Sequence, residues 1–63
     1  MTYVPTTQDK LKCAERELRL RKRVYDNRIE TGRMSLRKAQ REMDCMRAIV
    51  ADYRALAEKE RLL

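Results

Sequence analysis

Apolar side chains in the C-terminal half of the chain recur at alternating intervals of three and four residues. The series is Leu36, Ala39, Met43, Met46, Val50, Tyr53 and Ala57. Apolar positions that repeat about every 3.5 residues stay on one side of an α-helix and align along a partner helix. The spacing therefore predicts a long helix over about residues 36–61. We call its apolar stripe the seam, and it must be buried against another helix.

The N-terminal half supplies the partner helix, predicted over about residues 7–31. Thr6 followed by Asp9 resembles a capping box, although Thr7 is a near-equal candidate for the N-cap. Residues 1–5 precede this signal and read as a short flexible arm. The rest of the chain, residues 6–63, is expected to form one helical unit.

One short interruption separates the two predicted helices, at Thr31-Gly32-Arg33-Met34-Ser35. Gly32 can adopt the left-handed conformation that ends a helix, and Ser35 is a good N-cap for the next one. Met34 and Ala39 occupy the positions of a hydrophobic staple around that cap. A turn this short, over residues 32–35, makes the helices antiparallel neighbours. The predicted fold is all-α, an antiparallel two-helix hairpin.

The apolar residues of the first helix fall into two stripes about 140° apart on a helical wheel. The first stripe faces the seam and contains Leu11, Ala14, Leu18, Tyr25 and Ile29. The second stripe contains Cys13, Leu20 and Val24, and the second helix carries a matching set beside its seam, Cys45, Ile49, Leu56 and Leu63. Exposed contiguous apolar patches usually mark an interface. We therefore expect a homodimer whose interface includes Cys13, Leu20, Val24, Cys45, Ile49 and Leu56.

Chain length also favours self-association. The chain has 63 residues, and a core of this size rarely supplies more than about 3–5 kcal/mol. The simplest dimer is a four-helix bundle of two hairpins, while an elongated or higher-order assembly stays open.

Arg21 interrupts the first stripe, and two interpretations remain. Its stem lies along the seam with the head in water, or it forms a buried ion pair that fixes the register.

Positive charge is concentrated near the turn. Residues 19–41 carry nine cations and two anions, residues 1–18 are balanced, and residues 42–63 carry a net charge of −1. The candidate binding residues, which we call the basic set, are Arg16, Arg19, Arg23, Arg33, Arg37, Lys38 and Arg41. Lys12, Arg16, Arg19 and Arg23 form a strip at helical spacing that could hold phosphates. The strip could equally be a solvated helix face, and an acidic protein surface would fit the basic set as well.

Side chains that carry out catalysis are scarce. The chain has no histidine, two cysteines and one glycine, which leaves no zinc motif and no glycine-rich phosphate loop. Cys13 and Cys45 are too far out of register for a disulfide within the hairpin, so they are small apolar interface residues or, alternatively, form an intermolecular disulfide. We expect a non-enzymatic protein with no cofactor, metal or small-molecule substrate.

The N-terminal residues lack a basic region followed by an apolar run, and no apolar stretch is long enough to span a membrane. A cytoplasmic location without membrane contact is expected.

Several segments in the stretch from Glu15 to Tyr53, about two thirds of the chain, together resemble a group of very short proteins encoded by bacteriophages and prophages of proteobacteria. The first of these segments is Glu17-Leu18-Arg19-Leu20-Arg21-Lys22-Arg23-Val24-Tyr25. The distinctive ones are Arg23-Val24-Tyr25 and Gly32-Arg33-Met34-Ser35, and the others are Lys38-Ala39-Gln40-Arg41-Glu42-Met43 and Met46-Arg47-Ala48-Ile49-Val50-Ala51-Asp52-Tyr53. In that group the tyrosine is often followed by Pro and Trp, whereas Asp26 and Asn27 stand here. The resemblance implies a phage product acting in the cytoplasm of a bacterial host.

Three functions are compatible with these patterns. The first is stoichiometric binding that inhibits or redirects a host protein, such as a regulator or a defence component, as the resemblance implies. The second is nucleic-acid binding by a basic helical dimer. The third is a structural or assembly role in the phage particle.

Overall fold

The computed structural model describes residues 2–63, and these form two helices joined by a short connection. Helix α1 spans Thr7–Glu30 and helix α2 spans Leu36–Arg61. The helices pack against each other along their length, and the described residues include no β-strand. The predicted all-α, antiparallel two-helix hairpin is therefore confirmed.

Helix α1 begins at a complete capping box centred on Thr6. The Asp9 backbone N–H donates to Thr6 Oγ1 at 3.0 Å, and the Thr6 backbone N–H donates to Asp9 Oδ2 at 3.0 Å. Two backbone groups that the helix itself cannot satisfy are thus paired reciprocally. The structure therefore assigns the N-cap to Thr6 rather than to Thr7.

The connection begins with a Schellman motif around Gly32. The Arg33 N–H donates to the carbonyl of Arg28 at 2.8 Å, and the Gly32 N–H donates to that of Ile29 at 3.1 Å. Gly32 has a φ of +73°, the left-handed conformation that this motif requires. Ser35 then caps α2, because its Oγ accepts from the Lys38 N–H at 3.2 Å. These local signals fix where each helix ends and begins.

Gly32→Ala is expected to destabilise the hairpin by about 1 kcal/mol, because a Cβ disfavours the left-handed conformation. A Cβ at this position would meet no atom within 4 Å, so the loss should come from the backbone alone. Urea unfolding followed by circular dichroism measures it. Gly32→Asn is the matched control and should lose less, since asparagine tolerates this conformation better. Equal losses for both variants would contradict the backbone explanation.

The centre of the seam is buried as predicted. Leu11 and Ala14 of α1 pack with Met46 and Val50 of α2 into one core cluster. Leu18, Tyr53 and Ala57 are partly buried against this cluster, and Ala39 and Met43 are buried closer to the turn. Tyr25 and Ile29 are half-buried. Two cross-helix contacts show the register: Thr7 Oγ1 donates to Glu60 at 2.8 Å, and Arg54 donates to Glu15 at 2.9 Å.

Two seam positions differ from simple expectation. The prediction that Leu36 is buried is wrong, because its side chain is 58% exposed. Leu36 begins α2 beside the last turn of α1, where it shares a groove with Ile29, and because α1 ends at Glu30 little of that helix covers it. Arg21 Nε donates to Glu17 Oε1 at 3.0 Å, with the two side chains 38% and 45% exposed. The Arg21 ion pair therefore lies within α1 and is not buried, and this hydrogen bond raises the pKa of Arg21.

The hairpin is one helix layer thick. Its Cα atoms extend over 46 × 27 × 12 Å with a radius of gyration of 14.7 Å. A compact chain of this length has a radius of gyration of about 11 Å. Globular domains usually bury their apolar residues between two layers of secondary structure. Both broad faces of this single layer are open.

Candidate interaction surfaces

One broad face of the hairpin carries a six-residue apolar surface, which we call the apolar face. Its members are Cys13, Leu20, Val24, Cys45, Ile49 and Leu56, and all six are exposed. Cys13 and Ile49 line the same cleft between the helices. Leu20 and Val24 follow Cys13 by seven and eleven residues on α1, and Cys45 and Leu56 lie four and seven residues from Ile49 on α2. These spacings place each pair on the same helical face as Cys13 or Ile49. The structure thus places one member of each secondary stripe, Cys13 and Ile49, at the same cleft.

The apolar face is arranged in three rungs that cross both helices. The contacts of Thr7 with Glu60 and of Glu15 with Arg54 set the register. In this register Cys13 lies at the level of Leu56, Leu20 at that of Ile49, and Val24 at that of Cys45. The large members are exposed by 48% at Leu20, 44% at Val24, 39% at Ile49 and 43% at Leu56. Leu63, which the sequence placed on the same stripe, lies beyond the end of α2 and is 98% exposed.

The N-terminal arm folds over one end of this cleft. The Tyr3 hydroxyl donates to Asp9 Oδ2 at 2.8 Å, and Tyr3 and Pro5 both line the cleft. Hydrogen bonds from the Thr6 backbone and from Tyr3 lower the pKa of Asp9, and the bond to Asp9 raises the pKa of Tyr3. The cleft has a volume of about 630 Å³ and its deeper wall is formed by Ala14, Met46 and Tyr53.

Cys13 and Cys45 are both free thiols on the apolar face. Cys13 lies at the level of Leu56, eleven residues from Cys45 along α2, or roughly 16 Å at 1.5 Å per residue, and this separation is too large for a disulfide within one chain. Cys13 also accepts a long contact of 4.0 Å from the Arg16 guanidinium.

Every member of the basic set is exposed to solvent. The ion pairs among residues 2–63 involve Arg21, Lys22, Arg47, Arg54 and Arg61 instead. Within that described range, no member of the basic set forms an ion pair with a carboxylate. Their charges are consequently available to a partner.

The basic set is divided between the two helices. Arg19 and Arg23 line a shallow groove on α1 together with Lys22 and Asp26. A second groove contains the three members on α2, Arg37, Lys38 and Arg41, together with Ser35 and Glu42. Members of the basic set thus line two grooves, one on each helix. Arg16 and Arg33 line neither groove.

The described residues 2–63 include no cluster of three or more His, Cys, Asp or Glu side chains placed to hold a metal ion. Over the same range, neither helix is long and apolar enough to cross a membrane.

The sequence patterns did not reveal the residues that shape the cleft. Tyr3 and Pro5 lie outside both helices, so helical periodicity gives no information about them. Glu17 and Arg21 also line the cleft, where their ion pair forms part of its polar edge. The capping-box acid Asp9, which also accepts from Tyr3, is the one feature of the sequence patterns that takes part in this end of the cleft. No known protein family matches this chain, and comparisons with curated proteins and with solved structures find no significant match either.

Proposed function

We propose that this chain is a non-enzymatic, homodimeric binding protein that uses its basic set to bind an acidic surface of another protein. The observation that carries the proposal is the segregation of two unused surfaces on one hairpin. On α1 the unpaired arginines Arg16, Arg19 and Arg23 lie at the same levels as the apolar residues but about 90° around the helix from them. On α2 the unpaired cations lie between the turn and the first residue of the apolar face, Cys45. Apolar surface suits permanent association, whereas exposed charge steers a reversible encounter.

The basic set has the composition of a protein-binding surface. Six of its seven members are arginines, and arginine is enriched at protein interfaces and at their energetic hot spots. Separation into two grooves suits a partner whose acidic groups approach the turn from both helices. The resemblance to short phage and prophage proteins favours a bacterial host protein as this partner, bound in the host cytoplasm so that its activity is inhibited or redirected.

Nucleic-acid binding is the second candidate, and the exposed cation strip on α1 favours it. The strip consists of Lys12, Arg16, Arg19 and Arg23, which are spaced to follow a row of phosphates. Binding to single strands usually adds aromatic side chains on which bases stack. Tyr25 and Tyr53 are instead half-buried between the helices, and Tyr3 is hydrogen-bonded to Asp9 at the opposite end. This placement makes protein binding the better-supported proposal.

Charge reversal in the basic set should remove the partner. In a pull-down from host lysate, the double variant Arg19→Glu/Arg41→Glu is expected to reduce recovery of the partner protein at least about tenfold, since each lost charge contact costs roughly 1 kcal/mol or more. The matched control is Lys12→Glu/Lys59→Glu, which makes the same change in net charge outside the basic set and should bind as the wild type does.

Two results would contradict the proposal. The first is an unchanged set of captured proteins for Arg19→Glu/Arg41→Glu. The second is a mobility shift of DNA or RNA by the wild type at low salt, with binding that weakens steeply as salt rises and with no protein captured. That second result would establish the nucleic-acid function.

A further inference from the structure

We infer that the apolar face is covered by a second copy of this chain in an antiparallel orientation, with the two turns at opposite ends of the bundle. The inference rests on the homodimer proposed above and adds its geometry. Surface area, the layout of the apolar face and the distribution of charge each contribute to it.

The exposed area is large for a chain of this size. The hairpin exposes 5582 Å², whereas a compact monomer of 7.6 kDa exposes about 4,300 Å². The excess of roughly 1,300 Å² exceeds the ~800 Å² that each partner buries in a standard protein interface. A second hairpin laid on the apolar face would also supply the missing second layer.

The layout of the apolar face is self-complementary. Its middle rung, Leu20 with Ile49, lies close to the midpoint of both helices, and the other two rungs lie on either side of it. Along α1 the outer rungs lie seven residues to one side of Leu20 and four residues to the other. In the antiparallel orientation, a two-fold axis halfway between the outer rungs sets the Cys13–Leu56 rung of one copy over the Val24–Cys45 rung of the other, so apolar positions meet apolar positions, as an isologous interface requires. The charged pair on this face, Arg21 with Glu17, is already formed within each copy, so covering it leaves neither charge without a partner.

Two orientations satisfy this apolar match, and charge distinguishes them. In the parallel orientation both turns lie at one end, and the register places Arg28 of one copy beside Lys38 of the other. The segments that meet, residues 19–41 of each copy, each carry a net charge of +7. Like charges placed side by side in an interface are strongly disfavoured.

The antiparallel orientation removes this repulsion. Residues 19–41 of each copy then lie over the ends of the helices of the other, where residues 1–18 are neutral and residues 42–63 carry −1. The register brings Lys38 close to Glu60 of the second copy. One basic set lies at each end of the bundle, so the dimer presents two equivalent binding sites for the proposed partner.

Distance measurement between spin labels tests the orientation directly. The label is attached at Arg33→Cys, beside the turn, in a full-length chain that also carries Cys13→Ala and Cys45→Ala. Antiparallel packing predicts a distance of roughly 40 Å between the two labels, about the length of α1 at 1.5 Å per residue. Parallel packing brings both turns to one end and predicts about 20 Å or less, given helix axes 8–10 Å apart.

Chemical cross-linking of the unmodified protein gives a second test that needs no substitution. With a short amine-reactive linker, antiparallel packing predicts a link between Lys38 and Lys59 in the covalent dimer. Within one chain these residues are separated by about 30 Å along α2, so the link can form only between copies. Links between the two Lys38 residues together with the short spin-label distance would overturn the orientation but leave the dimer in place. A chain that sediments as a monomer and gives neither signal would overturn the dimer as well.

Discussion

Ile49→Glu is expected to convert the dimer into monomers at micromolar concentration. Ile49 occupies the middle rung of the apolar face and is 39% exposed in the isolated hairpin. In a two-fold symmetric interface residue 49 of both copies is buried. The substitution therefore places two carboxylates in the interface, where they lose their contacts with water and gain no partner. We expect the dissociation constant to rise at least about 100-fold, equivalent to roughly 3 kcal/mol. Sedimentation equilibrium over a range of concentrations measures the change.

The neighbouring residue provides the control for Ile49→Glu. Ala48 is exposed and lies on the same helix, about 100° around from Ile49. Ala48→Glu adds the same charge outside the apolar face and should leave the dimer intact. The proposed association would stabilise the folded state, so Ile49→Glu should also unfold at a lower temperature, in a transition that no longer depends on protein concentration. Equal masses for the two variants would contradict the assignment of the interface.

Met46→Ala is expected to produce the largest loss of folding stability among single substitutions of the core. Met46 is 6% exposed and packs with Leu11, Ala14 and Val50. Truncating a buried methionine to alanine typically costs about 2–5 kcal/mol, since apolar contacts are lost and a cavity remains. A 63-residue chain has little stability in reserve. Loss of the helical circular dichroism signal, or a midpoint shifted to much lower urea, would show the effect.

Leu36→Ala is the informative comparison for Met46→Ala. Both residues belong to the same seam in the sequence, and both substitutions shorten a large side chain. Leu36 is 58% exposed, so its replacement should change the free energy of unfolding by no more than about 0.5 kcal/mol. Similar losses at the two positions would mean that the seam is buried over its whole length, contrary to the structure.

The elements of the hairpin could be predicted because each depends on local signals. Gly32 and Ser35 end one helix and start the next through their own backbone and side-chain preferences. The repeat through Ala39, Met43, Met46 and Val50 defines which side of α2 is buried. Burial at the ends of the seam could not be predicted in this way. Leu36 continues the repeat, yet its exposure depends on where α1 stops, which is a property of the other helix.

The interaction surfaces were predictable in composition but not in arrangement. Helical spacing grouped Cys13 with Leu20 and Val24, and Cys45 with Ile49 and Leu56. Helical spacing does not say how the two groups are placed relative to each other, because this depends on how the two helices pack. The same limit applies to the basic set, which counts as one charged segment along the chain, whereas its members line two grooves, one on each helix. The arm contact between Tyr3 and Asp9 involves a residue outside any repeat.

The mass of the wild-type protein in solution is the most direct test of the claim that the apolar face joins two copies. Sedimentation equilibrium at micromolar concentration should give twice the chain mass of 7.6 kDa, together with a fully helical circular dichroism spectrum. A protein that stays helical at the mass of a single chain would show that the hairpin is stable with Leu20, Val24 and Ile49 in water, and it would contradict the account.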